Sequence, residues 1–318
     1  MRSAPNRNRR ARRTGSLSPD YLLTQIFNGL ASGAFYALLA LGLSVIFGML
    51  RVVNFAHGAM YMLGAFATYY GAQFVNARVA DPNAAQVWFF ASLLIAPAVV
   101  GLFGILLEVT LLRRLYGLDP IYSLLLTFAL VLIIEDLMRL AAGPLGSPFA
   151  TPPVLAGVTN IGFTLYPTYK LFVIVISLIV CALAWFIVER TPIGARIRAA
   201  TENPVLVRAL GIDVRRLVTI TFGVGIALAA LAGVLNAPQT NVQPNMGDTI
   251  IIYTFAIVVI GGLGSIVGSI VAGFALGLLQ TIGAVVFPPI STTLIFIVMV
   301  IVIVFRPAGL FGKPESAR

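Results

Sequence analysis

One histidine and one cysteine are the only side chains in 318 residues suited to imidazole or thiolate chemistry. His57 stands in Asn54-Phe55-Ala56-His57-Gly58, inside a stretch that is otherwise apolar from Tyr21 to about Phe74. A zinc site takes three or four protein ligands. His57 has no second histidine, cysteine or close carboxylate in sequence, so local spacing builds no metal site. Cys181 lies in an apolar run, cannot form an intrachain disulfide, and reads as a small core residue. The chain carries no G-x-S-x-G elbow, no G-x-x-x-x-G-K-[ST] loop and no G-x-G-x-x-G after a strand. Neither an enzyme nor a nucleotide binder is written here, no cofactor is expected, and any ATP that drives this protein must be bound elsewhere. What remains is hydrogen bonding. Asn54 and His57 share one helical face and are expected, as neutral groups, to satisfy backbone exposed by a helix break.

Charged side chains inside apolar segments are few. Glu135, Asp136 and Arg139 fall at helical spacing and read as internal pairs near a helix end, and Glu108 beside Arg113 reads the same way. A carrier driven by protons or sodium usually keeps carboxylates at mid-membrane. Here the middle of the apolar segments looks neutral.

The elements that hold these residues follow from composition. Hydrophobic residues make up 59% of the chain and charged ones 10%, against roughly 45–50% apolar for a soluble domain. Lipid is therefore the main solvent. A net charge of +10 is concentrated in six arginines before Asp20 and six more between Glu189 and Arg216. No basic stripe is interleaved with aromatics, so the charge points to a membrane surface and not to nucleic acid. The apolar segment after the N-terminal arginines is too long for a signal h-region and reads as a retained span. Residues 1–20 are expected to be a basic solvated tail, 21–306 a transmembrane domain and 307–318 a short C-terminal tail.

Spanning takes about 20 apolar residues. Tyr21 to Gly48, Phe55 to Phe74, Val87 to Leu112, Ile121 to Ala142, Leu171 to Val188, Leu217 to Leu235 and Ser291 to Phe305 are candidate spans. Ile250 to Phe287, as one straight helix, would be about 55 Å long against a hydrocarbon core of about 30 Å. Gly261-Gly262-Leu263-Gly264-Ser265 must break it. The expected fold is an all-α polytopic membrane protein of about eight to nine transmembrane segments, two of them glycine-broken. Helix ends at such breaks suit a zwitterion, N-termini for a carboxylate and carbonyl ends for an ammonium. Asn54, His57 and Gly58 are then expected to face Gly261, Gly262 and Gly264 across a central path. Close packing through Gly261, Ser265, Ser269 and Gly273 is the competing reading of the second break.

Arginine-rich loops should be cytoplasmic. That places Arg113-Arg114 and the 189–216 loop inside, 143–169 and 237–249 outside, and by counting crossings the N-terminus outside. In the 189–216 loop, Thr191-Pro192 signals an N-cap with proline at the first helical position, Asn203-Pro204 restarts the helix and Gly211 stops it. The result is a compact helix pair with an apolar stripe of Ile193, Ile197, Val205, Leu206, Ala209 and Leu210.

Three motifs together resemble one family: QIFNGLASGAFYALLALGLSVIFGMLRVVNFAHGAMYMLGAF, ERTPIGARIRAATENPVLVRALGIDVRRL with TFGVGIALAALAGVL, and IGGLGSIVGSIVAGFALGLL. The chain is similar, over nearly its whole length after Tyr21, to the LivH-type permease subunits of branched-chain amino acid ABC importers. The resemblance implies a multi-pass protein of the bacterial inner membrane. It also implies a second, LivM-like permease, two cytoplasmic ATPases and an external or periplasmic substrate-binding protein as partners. It makes the 189–216 loop the ATPase coupling loop, with Gly194, Arg196, Arg198, Glu202, Arg208 and Gly211 as its candidate residues. This loop has no Glu-Ala-Ala triplet of the commoner permease pattern. Importers for urea and short amides share the motifs, and a stand-alone secondary transporter or channel for a small neutral solute is a further alternative.

Overall fold

The structure, a computed structural model, describes residues 19–79 and 83–312. The six arginines before Asp20 and the last six residues of the chain lie outside the described residues. The described chain is almost entirely helical: α1 (Pro19–Leu50), α2 (Ala56–Arg78), α3 (Ala84–Thr110), α4 (Pro120–Ala142), α5 (Thr168–Arg190), α6 (Pro192–Glu202), α7 (Pro204–Ala209), α8 (Val214–Asn236), α9 (Met246–Gly261), α10 (Ile266–Val286) and α11 (Leu294–Phe305). One antiparallel hairpin, β1 (Val158–Asn160) and β2 (Leu165–Pro167), interrupts the helices. Alternation over three residues is too short a signal to read from sequence.

Six helical stretches among the described residues are long and apolar enough to cross a membrane, formed by α1, α3 with its following turn, α4, α5, α8 and α10. The remaining expected spans differ. α2 has 23 residues but carries Thr68, Gln73, Asn76 and Arg78, whereas α9 has 16 and α11 only 12. At 1.5 Å per residue α11 covers about 18 Å, because Ser291, Thr292 and Thr293 of the expected segment form a turn that follows the Pro288–Ile290 3-10 helix.

α1 is the central helix, with α10, α8, α5 and α9 around it. Lipid tails are as apolar as leucine, so helices in a membrane hold together through close van der Waals contact. α1 and α10 achieve it with glycine. A Cβ on Gly277 would collide with the Gly33 backbone, and one on Gly33 would sit 2.8 Å from the Phe274 Cα. Gly101 and Gly104 of α3 likewise meet Ala227 and Ile226 of α8. Residue 37 pairs with 273 and residue 29 with 278, so α10 runs antiparallel to α1.

These contacts define two ends. At one, Thr201 Oγ1 of α6 donates to Met49 Sδ at 3.5 Å, and Gly264 lies on Gly48. At the other, Phe27 meets Phe163 at a tilt and Tyr166 edge-on, with centroids 5.8 and 5.6 Å apart. There Asn28 Oδ1 accepts from Lys170 Nζ at 2.9 Å and from the Tyr166 hydroxyl at 3.2 Å. Burial pushes the Tyr166 phenol up to about 12. α1 therefore starts at the hairpin end and finishes at the α6/α7 end, 32 residues later.

The 250–287 run is too long for one helix and is indeed not one, but the break is a reversal. Tyr253 of α9 meets Tyr36 of α1 at 6.2 Å between centroids, and Gly264 meets Gly48, so α9 runs with α1 and α10 runs back. Gly262 and Gly264 have φ of 108° and 80°, left-handed values that favour glycine. Ser265 then caps α10, its Oγ accepting from Gly268 N at 3.1 Å. The C-terminal segment is also more than a solvated tail as far as it is described. Leu310 N and Phe311 N donate to the Ile260 and Gly261 carbonyls at 2.8 and 3.0 Å, satisfying the end of α9.

Candidate functional site

At the α6/α7 end each cap follows the sequence. Thr191 is extended at φ −111°, ψ 159° and accepts from Gly194 N. Asn203 Oδ1 accepts from Leu206 N at 3.0 Å, and Asp213 Oδ1 from Arg216 N at 3.1 Å. Gly211, at φ 80°, ends the second helix. Three stops and starts in about twenty residues give a rigid, folded-back pair.

Its seat is specific. A Cβ on Gly194 would collide with the Val188 carbonyl, so glycine lets α6 lie against the end of α5. Arg198 donates to that same Val188 carbonyl and pairs with Glu189 at 3.6 Å. Ala200 and Val207 turn inward onto Val214 and Val218, with Met49 and Leu50 of α1 packed alongside. The stripe expected from the sequence faces away from this seat. Ile193, Val205, Leu206 and Leu210 are 54%, 73%, 56% and 71% exposed, Ala209 is exposed and Ile197 is half-buried. Arg196 is exposed and has no ion pair among the described residues. Glu202 and Arg208 line a cavity of about 440 Å³ with Arg51, Tyr116, Ser123 and Thr201.

Beside it, Glu108 is wholly buried and fully engaged. Arg113 donates to both its oxygens at 3.2 and 2.8 Å, Tyr116 to Oε1 at 2.9 Å and Thr219 to Oε2 at 2.8 Å. Burial foremost, and the adjacent Glu108 charge after it, raise the Tyr116 pKa. The cluster ties α3 to the start of α8.

The first break lies before α2, and Asn54, His57 and Gly58 occupy its edge and first turn. His57 is fully buried. Its Nε2 pairs with the Leu39 carbonyl at 3.0 Å, and its Nδ1 has no partner. That corrects one expectation, because Leu39 lies inside α1 and not on the broken segment. The exposed backbone is satisfied otherwise. Phe55 N donates to Thr127 Oγ1 of α4 at 3.3 Å, and His57 N to the Asn54 carbonyl at 3.3 Å. Asn54 is 3% exposed, and both its amide atoms lack a partner.

The two glycine breaks are not brought face to face. A Cβ on Gly58 would lie 2.5 Å from the Gly247 carbonyl oxygen, and one on Gly247 the same distance from that of Gly58. Gly264 packs on Gly48 and Gly261 on Gly268, at the α6/α7 end. Two participants escaped sequence reading. Gly247 opens α9 in an unremarkable Met-Gly-Asp, and Asp248, beside it, interacts with Glu135 of α4. No local pattern links positions more than a hundred residues apart.

Comparison with known proteins agrees with this architecture. A family profile described as "Branched-chain amino acid transport system / permease component" matches residues 25–304. The branched-chain amino acid permease BraD of Pseudomonas aeruginosa is 29% identical over 304 residues, covering 93% of this chain and 97% of that one. Escherichia coli LivH is 27% identical over 303 residues, with the same coverage. Escherichia coli LivM is 25% identical over 305 residues, covering 86% of this chain and 67% of LivM. No solved structure matches. With six apolar helices long enough to cross a bilayer, the protein is a multi-pass protein of the inner membrane and a transport component. The chain belongs to the permease family of branched-chain amino acid transport systems.

Proposed function

We propose that this chain is one permease subunit of an ABC importer that moves branched-chain or other small amino acids inward by alternating access. Its partners are a second, LivM-like permease, two cytoplasmic ATPases and an external substrate-binding protein. The observation that carries the reading is the α6/α7 pair. It is capped at each end and seated on α1, α5 and α8, yet it leaves Ile193, Val205, Leu206 and Leu210 uncovered. Topology alone requires arginines in this loop, not a rigid apolar face. Docked in a cleft of an ATPase, that face transmits opening and closing to three membrane helices at once. Gly194, Arg198 and Gly211 fix the seat, while Arg196, Glu202 and Arg208 meet the partner.

In this reading α2, α9 and α11 join the six long helices to give about eight to nine segments, two of them glycine-broken. Asn54, His57 and Gly58 border the path. Gly261, Gly262 and Gly264 turn α9 into α10 at its cytoplasmic mouth. The amino-acid specificity of BraD and LivH supports the substrate class. Purification of the tagged chain co-expressed with its neighbouring transport genes tests the assembly. Native mass spectrometry should give two permeases with two ATPases. Uptake by that assembly of leucine, and not of urea or acetamide, supports the substrate; a lone chain, or preference for urea, overturns the respective part.

A further inference from the structure

Four membrane helices end around one cleft. Leu50 closes α1, Leu115 closes the apolar stretch begun by α3, and Pro120 and Val214 open α4 and α8. All four residues line the cavity of about 440 Å³, and α6 and α7 complete its wall. A second cavity, of about 340 Å³, shares Tyr116, Arg208, Val214 and Val218 with the first, so the two adjoin. Apolar spans stop where the hydrocarbon does. The cleft therefore lies at headgroup depth, on the face that the arginine-rich loops mark as cytoplasmic.

Its charge is unbalanced. Arg51 and Arg208 line the larger cavity with one carboxylate, Glu202. The smaller cavity adds Arg113, Arg215 and Glu108, but Glu108 is already taken by Arg113 at 2.8 Å. Arg51, Arg208 and Arg215 make no ion pair among the described residues. Three such guanidinium groups around one carboxylate make a hollow that attracts anions.

Arg51 holds its place against its backbone preference. Its φ of 53° makes it the one non-glycine in the left-handed region among the described residues, a conformation that glycine adopts freely and a side chain does not. Arg51 N closes α1 on the Phe47 carbonyl at 2.8 Å, as a C-terminal glycine would. Glycine would serve that backbone better, so the position calls for the guanidinium.

One flank of the cleft is apolar. Leu118 borders the larger cavity and is 54% exposed, and Ile121 and Leu125, four residues apart on α4, are 55% and 56% exposed. This strip leads from the cleft along α4 into the hydrocarbon. A soluble anion has no use for it.

We propose that this cleft binds an anionic phospholipid of the cytoplasmic leaflet. Arg51 and Arg208 take the phosphodiester, Arg215 strengthens the field from the adjoining cavity, and an acyl chain runs along Leu118, Ile121 and Leu125. A guanidinium offers five donors, so Arg208 holds a phosphate oxygen and still meets an ATPase. The bound lipid ties α7 to the end of α1 and keeps the α6/α7 pair on its seat.

The test titrates the purified, delipidated full-length chain in neutral detergent with phosphatidylglycerol, phosphatidylcholine or inorganic phosphate, read by native mass spectrometry and thermal unfolding. Phosphatidylglycerol should bind saturably and raise the unfolding temperature, phosphatidylcholine should bind far more weakly, and equimolar inorganic phosphate should not displace the lipid. Losing one charge-assisted bond to phosphate should weaken phosphatidylglycerol about tenfold in both Arg51→Gly and Arg51→Gln. Lipid-free Arg51→Gly should unfold no earlier than wild type, since glycine suits the left-handed position. Arg114→Ala, which removes an equal charge from an exposed residue outside both cavities, should bind as wild type does. Wild-type affinity in the Arg51 variants, equal weakening in Arg114→Ala, or equal binding of phosphatidylcholine overturns the site. Displacement by equimolar inorganic phosphate assigns the cleft to a free anion and overturns the lipid.

Discussion

Replacing Leu206 and Leu210 by alanine tests whether α6/α7 is a docking face. Truncating a leucine to alanine removes three carbons, worth about 2.4 kcal/mol on full burial at roughly 0.8 kcal/mol per methylene. Only surface still open in the free permease can be gained on docking. Leu206 and Leu210 are 56% and 71% exposed, so their shares are about 1.3 and about 1.7 kcal/mol. The pair sums to about 3 kcal/mol, or about 150-fold in affinity at roughly 1.4 kcal/mol per tenfold. Arg196→Ala is the counter-case, because an exposed charge contributes about 0.2–1 kcal/mol, at most about fivefold. The apolar face should dominate. The assay is biolayer interferometry of the purified ATPase against nanodisc-embedded permease pair, at two salt concentrations. Leu206→Ala/Leu210→Ala should weaken binding about a hundredfold with little salt dependence, and Arg196→Ala only severalfold. Unchanged affinity in the double variant, with the permease pair intact, would refute the reasoning.

Three further outcomes follow from the contacts. Arg113→Ala leaves the Glu108 carboxylate wholly buried with only hydroxyl partners and should cost about 3 kcal/mol; adding Glu108→Gln should restore most of the lost thermal stability of the purified protein. Gly277→Val puts side-chain atoms into the Gly33 backbone and should abolish accumulation of folded protein in membranes, whereas Gly117→Ala, with nothing within 4 Å, should accumulate normally by fluorescence-detected chromatography. Cys181 is 2% exposed, so a maleimide should label it only after denaturation.

Local chemistry was readable where it is written in adjacent residues. Thr191-Pro192, Asn203-Pro204 and Gly211 delimit α6 and α7 as expected, since a cap involves residues at most a few positions apart. The need to break 250–287 followed from length, but its direction did not. A glycine cluster permits either a kink or a reversal, and the contact of Gly264 with Gly48 decides between them. The buried face of the long helices was also illegible. α5 and α10 are apolar all round because one side meets protein and the other lipid, so no polar face marks the outside. Pairings such as Gly58 with Gly247, or Glu135 with Asp248, arise only once those faces have chosen partners. His57 could be cleared of metal chemistry from sequence, yet its bond to the Leu39 carbonyl depended on α1 lying alongside.

The central claim is that this chain conducts amino acids under the control of ATP hydrolysed elsewhere. Proteoliposomes holding the chain, its partner permease and both ATPases, supplied with the external binding protein and tritiated leucine, test it directly. Uptake that requires hydrolysable ATP, stops with a non-hydrolysable analogue and ignores proton and sodium ionophores is the predicted result. Uptake indifferent to ATP but collapsed by an ionophore would contradict the account.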